Sequence, residues 1–176
     1  MGTRVPPARR LLELGCGPQP ARGTCIGIDR DQDAARAAAA TGIPCIAADA
    51  RRLPLADRTV DAVLARGVLH HILDLAAVLG EVRRVLQPGG FLIATDALPM
   101  PAAQYQEMSR QLTRQGLPAE PRNGIDPGEL TALATAAGFL PPEWSVTGDW
   151  THATPPYADR VFASPAATYT ITVPFA

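Results

Sequence analysis

Residues 10–29 read Arg10-Leu11-Leu12-Glu13-Leu14-Gly15-Cys16-Gly17-Pro18-Gln19-Pro20-Ala21-Arg22-Gly23-Thr24-Cys25-Ile26-Gly27-Ile28-Asp29. A short apolar run at 10–14 ends in two glycines one residue apart. A second run at 25–28 ends in an acid. Neither run alternates cleanly between apolar and polar residues, the pattern of strands buried on both faces of a parallel sheet. Two glycines so placed let the backbone turn sharply and approach a ligand closely.

The same unit recurs outward from this stretch. Further strands are expected at 44–48, 60–65 and 91–95, with helical patterns between most of them. Asp31 is placed to cap a helix ending near Gly42, and Asp74 to cap another. Leu75, Leu79, Val82 and Leu86 recur on one helical face before Pro88-Gly89-Gly90. Alternating strands and helices predict an α/β fold. Beyond 98 the pattern changes. Residues 100–116 are weakly helical, and 117–124 form a loop. Asp126-Pro127-Gly128-Glu129 is a helix start, with a stop at Gly138. Residues 143–150 and 168–175 read as strands, with a Pro-rich loop at 151–165 between them.

Ligands bind outside the carboxyl ends of the strands in such a sheet. Strand one ends in the glycine turn, and strand two in Asp29, placed for the hydroxyls of a ribose. Strand three ends in Asp49-Ala50, an acid suited to an exocyclic amine. Strand four runs into Arg66-Gly67-Val68-Leu69-His70-His71, and strand five ends in Asp96. Any one acid reads as a turn residue or helix cap. Three at consecutive strand ends behind a glycine turn point to a ligand site.

These residues carry a resemblance. The chain is similar to class I S-adenosylmethionine-dependent methyltransferases, closely over residues 10–98 and loosely in the later elements. Leu11-Leu12-Glu13-Leu14-Gly15-Cys16-Gly17 matches the first motif of that family. Leu53-Pro54-Leu55, Val60-Asp61-Ala62-Val63, Leu69-His70-His71-Ile72 and Val85-Leu86-Gln87-Pro88-Gly89-Gly90 follow in order. The resemblance implies a Rossmann-like, mostly parallel doubly wound sheet with an antiparallel C-terminal strand pair. It implies S-adenosyl-L-methionine as cofactor, held by Glu13, Gly15, Cys16, Gly17, Asp29, Arg30, Asp49, Ala50, Arg66 and Gly67. His70, His71 and Asp96 are the candidate catalytic residues, a His being suited to a base near neutral pH. The sequence does not choose between the two histidines. Tyr105, Trp144, Trp150, His152 and Tyr157 are candidates to line an acceptor pocket.

One departure stands out. Only residues 18–24 separate Gly17 from Cys25, and they contain two prolines, so the first crossover helix must be shortened or missing. The chain also starts almost at strand one. The expectation is a single domain over 1–176: a cofactor core at 10–98, a lid at 99–125, and a C-terminal helix and strands at 126–176. The site is then either open or completed by a partner copy in a homodimer.

Composition narrows the functions. The chain has 176 residues, 47% of them apolar, and a net charge of −1. A chain of this size buries about 70% of its unfolded surface without staples. Near-neutral charge argues against nucleic acid or an anionic membrane as partner. All 16 basic residues are Arg, which excludes a Walker-type loop and any lysine nucleophile or base. Cys16, Cys25 and Cys45 lack metal-ligand spacing and are expected to be buried free thiols, with no metal. A cytoplasmic location and a small-molecule acceptor are expected. The alternative is a cofactor-binding protein that does not methylate, acting as a cyclisation catalyst or a non-enzymatic partner subunit.

Overall fold

The structure is a computed structural model that describes residues 10–151 and 163–172. Seven strands form one sheet in the order β3-β2-β1-β4-β5-β7-β6. They are β1 (Leu11–Leu14), β2 (Thr24–Asp29), β3 (Cys45–Ala47), β4 (Val60–Arg66), β5 (Leu86–Ala97), β6 (Glu143–Thr151) and β7 (Ala163–Thr172). β1 to β5 run parallel to one another, and β7 lies antiparallel between β5 and β6. The chain reverses strand order beside β1, which places the ends of β1 and β4 at the switch point where such sheets bind ligands.

The helices are α1 (Gln32–Ala39), α2 (Leu75–Val85), α3 (Ala102–Arg114) and α4 (Pro127–Ala136), with a 3-10 turn at Leu69–His71. Asp31, Asp74 and Asp126 each cap a helix with a carboxylate that accepts backbone N–H groups, satisfying donors the helix cannot pair. Leu12, Leu14, Val63, Leu79, Val82 and Leu92 are almost wholly buried, each stabilising the fold by about 1.5–3 kcal/mol. Arg84 donates to the carbonyls of Leu53 and Leu55, and Glu81 accepts from Leu53 N. α2 thereby fixes the segment that follows Asp49.

No helix follows β1. Residues 15–23 cross to β2 as irregular turns. The span suffices because extended chain covers at most about 3.3–3.6 Å per residue and β1 has only four residues to retrace. One consequence corrects the expectation of three buried thiols. Cys16 is buried, but Cys45 is only partly so and Cys25 is exposed, since no helix between β1 and β2 covers the start of β2. Two strand boundaries also differ. β5 begins at Leu86 and absorbs Pro88-Gly89-Gly90 with a register irregularity. β7 begins at Ala163, inside the segment expected to be a loop. Thr151, the other end of that loop, belongs to β6; 152–162, and 173–175 of the expected last strand, lie outside the described residues. Among the described residues no helix is long and apolar enough to cross a membrane.

Candidate cofactor and acceptor site

A cleft of about 610 Å³ opens at the carboxyl ends of β1 to β4. Gly15, Asp29, Arg30, Asp49, Ala50, Gly67 and His71, all named from sequence, line it. Gly15 has φ +58°, and a Cβ there would lie 2.4 Å from Val68 Cγ2. Only glycine turns the chain here without colliding with the far wall.

Asp29 is aimed by two backbone donors. Gly17 N donates to its Oδ2 at 2.9 Å and Asp31 N to its Oδ1 at 2.8 Å. Each oxygen keeps lone-pair capacity for a further donor. Asp49 receives the Arg51 guanidinium on both oxygens, at 2.6 Å and 3.0 Å for the shorter contact to each. The Arg51 side-chain and backbone hydrogen bonds push its pKa down to about 2. Asp49 is therefore an anionic acceptor at any pH above the acid range.

Glu13, Cys16, Gly17 and Arg66 stand outside the lining of the cleft and shape it from behind. Glu13 is fully buried. Its Oε2 accepts from Ala21 N at 2.6 Å and Thr24 Oγ1 at 2.8 Å, and its Oε1 accepts two bonds from Arg66. One carboxylate thus pins the 15–23 crossover that no helix stabilises. Cys16 Sγ lies 3.5 Å from Cys45 Sγ. Burial, then the hydrogen bond and charge of Cys45 and the charges of Asp29 and Glu13, push the Cys16 thiol up to about 12.

The histidines point different ways. His70 is buried and its Nδ1 lies 2.5 Å from Asp96 Oδ1. Asp96, also buried, accepts Leu69 N and its neighbour Ala97 N as well. This pair anchors the 3-10 turn to β5 and does not reach the cleft. His71 is half-exposed and borders the cleft; its Nδ1 lies 2.6 Å from Glu120 Oε2. Burial lowers the His71 pKa, but the hydrogen bond and charge of Glu120 and the charge of Asp96 outweigh it, and the net shift is upward.

Glu120 went unseen in the sequence, because the Pro-flanked loop that carries it shows no periodicity. It is placed by contacts far along the chain. Tyr105 Oη donates to Glu120 O at 2.5 Å, and Asn123 exchanges hydrogen bonds with both backbone groups of Met100. Gly124, at φ +69°, packs so closely that a Cβ would lie 2.6 Å from the Leu98 carbonyl carbon. Ala119 and Pro121 consequently form part of the cleft wall. Of the other acceptor-pocket candidates, Trp144 donates Nε1–H to Thr131 Oγ1 and packs on the core. Tyr105 serves the loop backbone, the Trp150 side chain is not described, and His152 and Tyr157 lie outside the described residues.

A parallel sheet with this strand order, a glycine turn after β1 and acids after β2 and β3 define the class I methyltransferase fold. Residues 12–94 match the family described as "Methyltransferase domain". The chain is 35% identical over 155 residues to an uncharacterized 37.1 kDa protein in transposon TN4556 of Streptomyces fradiae, covering 77% of this chain and 45% of that protein. It is 29% identical over 121 residues to a demethylmenaquinone methyltransferase of Mycolicibacterium paratuberculosis, covering 65% and 53% respectively. The chain thus spans about half the length of these relatives. A crystal structure of a SAM-dependent methyltransferase from Thermotoga maritima superposes with TM-score 0.72 at 21% identity, over 96% of this chain and 84% of that one. That likeness concerns the fold.

Proposed function

We propose that the chain is an S-adenosylmethionine-dependent methyltransferase acting on a small-molecule acceptor. The observation that carries this reading is one cleft into which Gly15, Asp29, Asp49, Ala50 and Gly67 converge from the ends of β1 to β4. Its volume is that of a small-molecule site. The donor set fits the cofactor. Asp29 has two oriented oxygens for a ribose diol, and Asp49 is an ionised acceptor for an amine with Ala50 beside it. When bound, S-adenosylmethionine supplies a methyl group already activated by its sulfonium.

The work left to the protein is orientation and exclusion of water, and holding two reactants in line is worth about 7–11 kcal/mol. Asp29 and Asp49 fix the adenosine end. Val68, Ile72, Leu73, Ala119 and Pro121 give the remaining wall an apolar character. Leu73 is 70% exposed, an apolar surface a ring or chain of the acceptor would cover. His71 stands at this end and can orient the acceptor or take its proton; His70 and Asp96 act through the turn they hold. Residues 99–125 are the cover, with Glu120 tying them to His71. The demethylmenaquinone methyltransferases among the relatives support a small apolar acceptor.

Calorimetric titration with S-adenosylhomocysteine and with NADH tests the cofactor, and a labelled-methyl assay against quinols, phenols and amines tests the acceptor. Micromolar binding of S-adenosylhomocysteine and none of NADH is the expected result. Failure to bind it in folded protein would sink the reading. Binding without transfer to any acceptor favours the non-methylating alternative.

A further inference from the structure

We propose that His70, His71 and Glu120 form a binding site for a divalent transition-metal cation, of which Zn²⁺ is the natural probe. Their ligand atoms all lie within 4.8 Å of one another. His71 Nδ1 stands 2.6 Å and His70 Nε2 3.8 Å from Glu120 Oε2. Tetrahedral ligands about 2.0–2.2 Å from a zinc ion lie about 3.3–3.6 Å from each other. The two separations bracket that range, so small side-chain rotations would admit an ion.

A second observation supports the site. Bound histidines commonly give their other ring nitrogen to a carboxylate, which fixes the tautomer and raises ligand basicity. His70 Nδ1 is held in that way by Asp96, a buried residue whose carboxylate is itself fixed by two backbone amides. With Nδ1–H donated to Asp96, the electron pair of Nε2 faces the Glu120 side.

Two nitrogens and one oxygen suit a borderline cation such as Zn²⁺ or Co²⁺. Three protein ligands beside a cleft leave a further position for an exogenous group, the pattern of catalytic rather than structural sites. The chemistry such an ion would perform rests on the methyl-transfer reading: it would hold and polarise an oxygen of the acceptor next to the cofactor. It would also join the 117–124 loop to the 3-10 turn, closing the cover when loaded. This departs from the expectation of no metal, which rested on cysteine spacing and left the histidines and a loop carboxylate unconsidered.

The test uses the whole chain, stripped with chelator and titrated with Zn²⁺ by calorimetry, without cofactor. One site with a Kd of about 10 μM or tighter is expected. Co²⁺ in its place should give visible d–d absorption without a sulfur-to-metal charge-transfer band. Glu120→Gln and His71→Ala should each weaken Zn²⁺ binding at least tenfold, with circular dichroism confirming the fold. Absence of Zn²⁺ binding at 100 μM would overturn the proposal, as would unchanged affinity in the two variants. A sulfur-to-metal band would place the ion on a cysteine instead and overturn it equally. S-adenosylhomocysteine binding is measured on the same samples. Zn²⁺ binding without it would defeat the methyl-transfer reading and leave the metal site standing; the converse would do the reverse.

Discussion

The two walls of the cleft are held in different ways. The wall at the ends of β1 and β2 is tied mostly by residues within twelve positions, Glu13 to Ala21 and Thr24 and Asp29 to Gly17 and Asp31, with Arg66 adding two bonds to Glu13 from the end of β4. The wall at Ala119–Pro121 is tied across longer stretches of chain, Met100 to Asn123, Tyr105 to Glu120 and His71 to Glu120. All of the bonds on the first wall end on carboxylates carried by β1 and β2. Those on the second lie on a loop and a helix, α3, that buries only Met108 and Leu112. The contrast teaches that the seat draws most of its hydrogen bonds from nearby residues, while the second wall, the proposed cover, rests on few contacts, as segments of low local stability do.

The sharpest way to break this comparison is at Glu13. Glu13→Ala removes two hydrogen bonds to the crossover and leaves Arg66 without its carboxylate. The expected loss is about 3 kcal/mol of stability, toward the low end for a broken buried pair because Arg66 is half-exposed. Urea denaturation measures it. A loss below about 1 kcal/mol would mean that the crossover is held by something other than its carboxylate.

Asp29→Ala should cost about 1.5–3 kcal/mol in S-adenosylhomocysteine affinity, roughly ten- to a hundred-fold, since a charge-assisted acceptor is lost. Asp49→Ala should cost less, as Ala50 and the apolar wall remain. Calorimetry on both decides, and the reverse order would exchange the ribose and adenine ends of the cleft.

The cover should behave oppositely. Deleting 103–117 should abolish methyl transfer while leaving S-adenosylhomocysteine affinity within tenfold, about 1.4 kcal/mol. Full activity in that deletion would show that the second wall is no cover.

The smallest effect expected is at Arg51. The folded pKa of Asp49 is depressed from 3.8 to about 2. A depressed carboxylate contributes stability above its unfolded pKa and loses it as pH falls through the folded value. The contribution is thus present above about pH 4 and gone near pH 2. Both side chains are partly exposed, so it amounts to about 0.5 kcal/mol. Arg51→Ala should therefore lower stability slightly at neutral pH, leave it unchanged near pH 2, and so flatten the acid limb of thermal stability between those values.

The core at 10–98 was legible because its signals are local. Apolar runs mark strands buried on both faces, and Asp31 and Asp74 cap helices whatever lies around them. The glycine turn at Gly15 and the acids after β2 and β3 follow from position along the chain. Sequence also determined that no full crossover helix fits between Gly17 and Cys25, because prolines and chain length are covalent facts. Tertiary structure alone decided which histidine meets the cleft, since adjacent residues on a 3-10 turn diverge and Asp96, 26 positions from His70, claims one of them. It decided that Glu13 braces a loop rather than lining the cleft, because the oxygens of a buried carboxylate go to whatever donors fold against them. It alone brought Glu120 to His71, for a side chain on an aperiodic loop has no address in the sequence until the rest of the chain has packed beneath it.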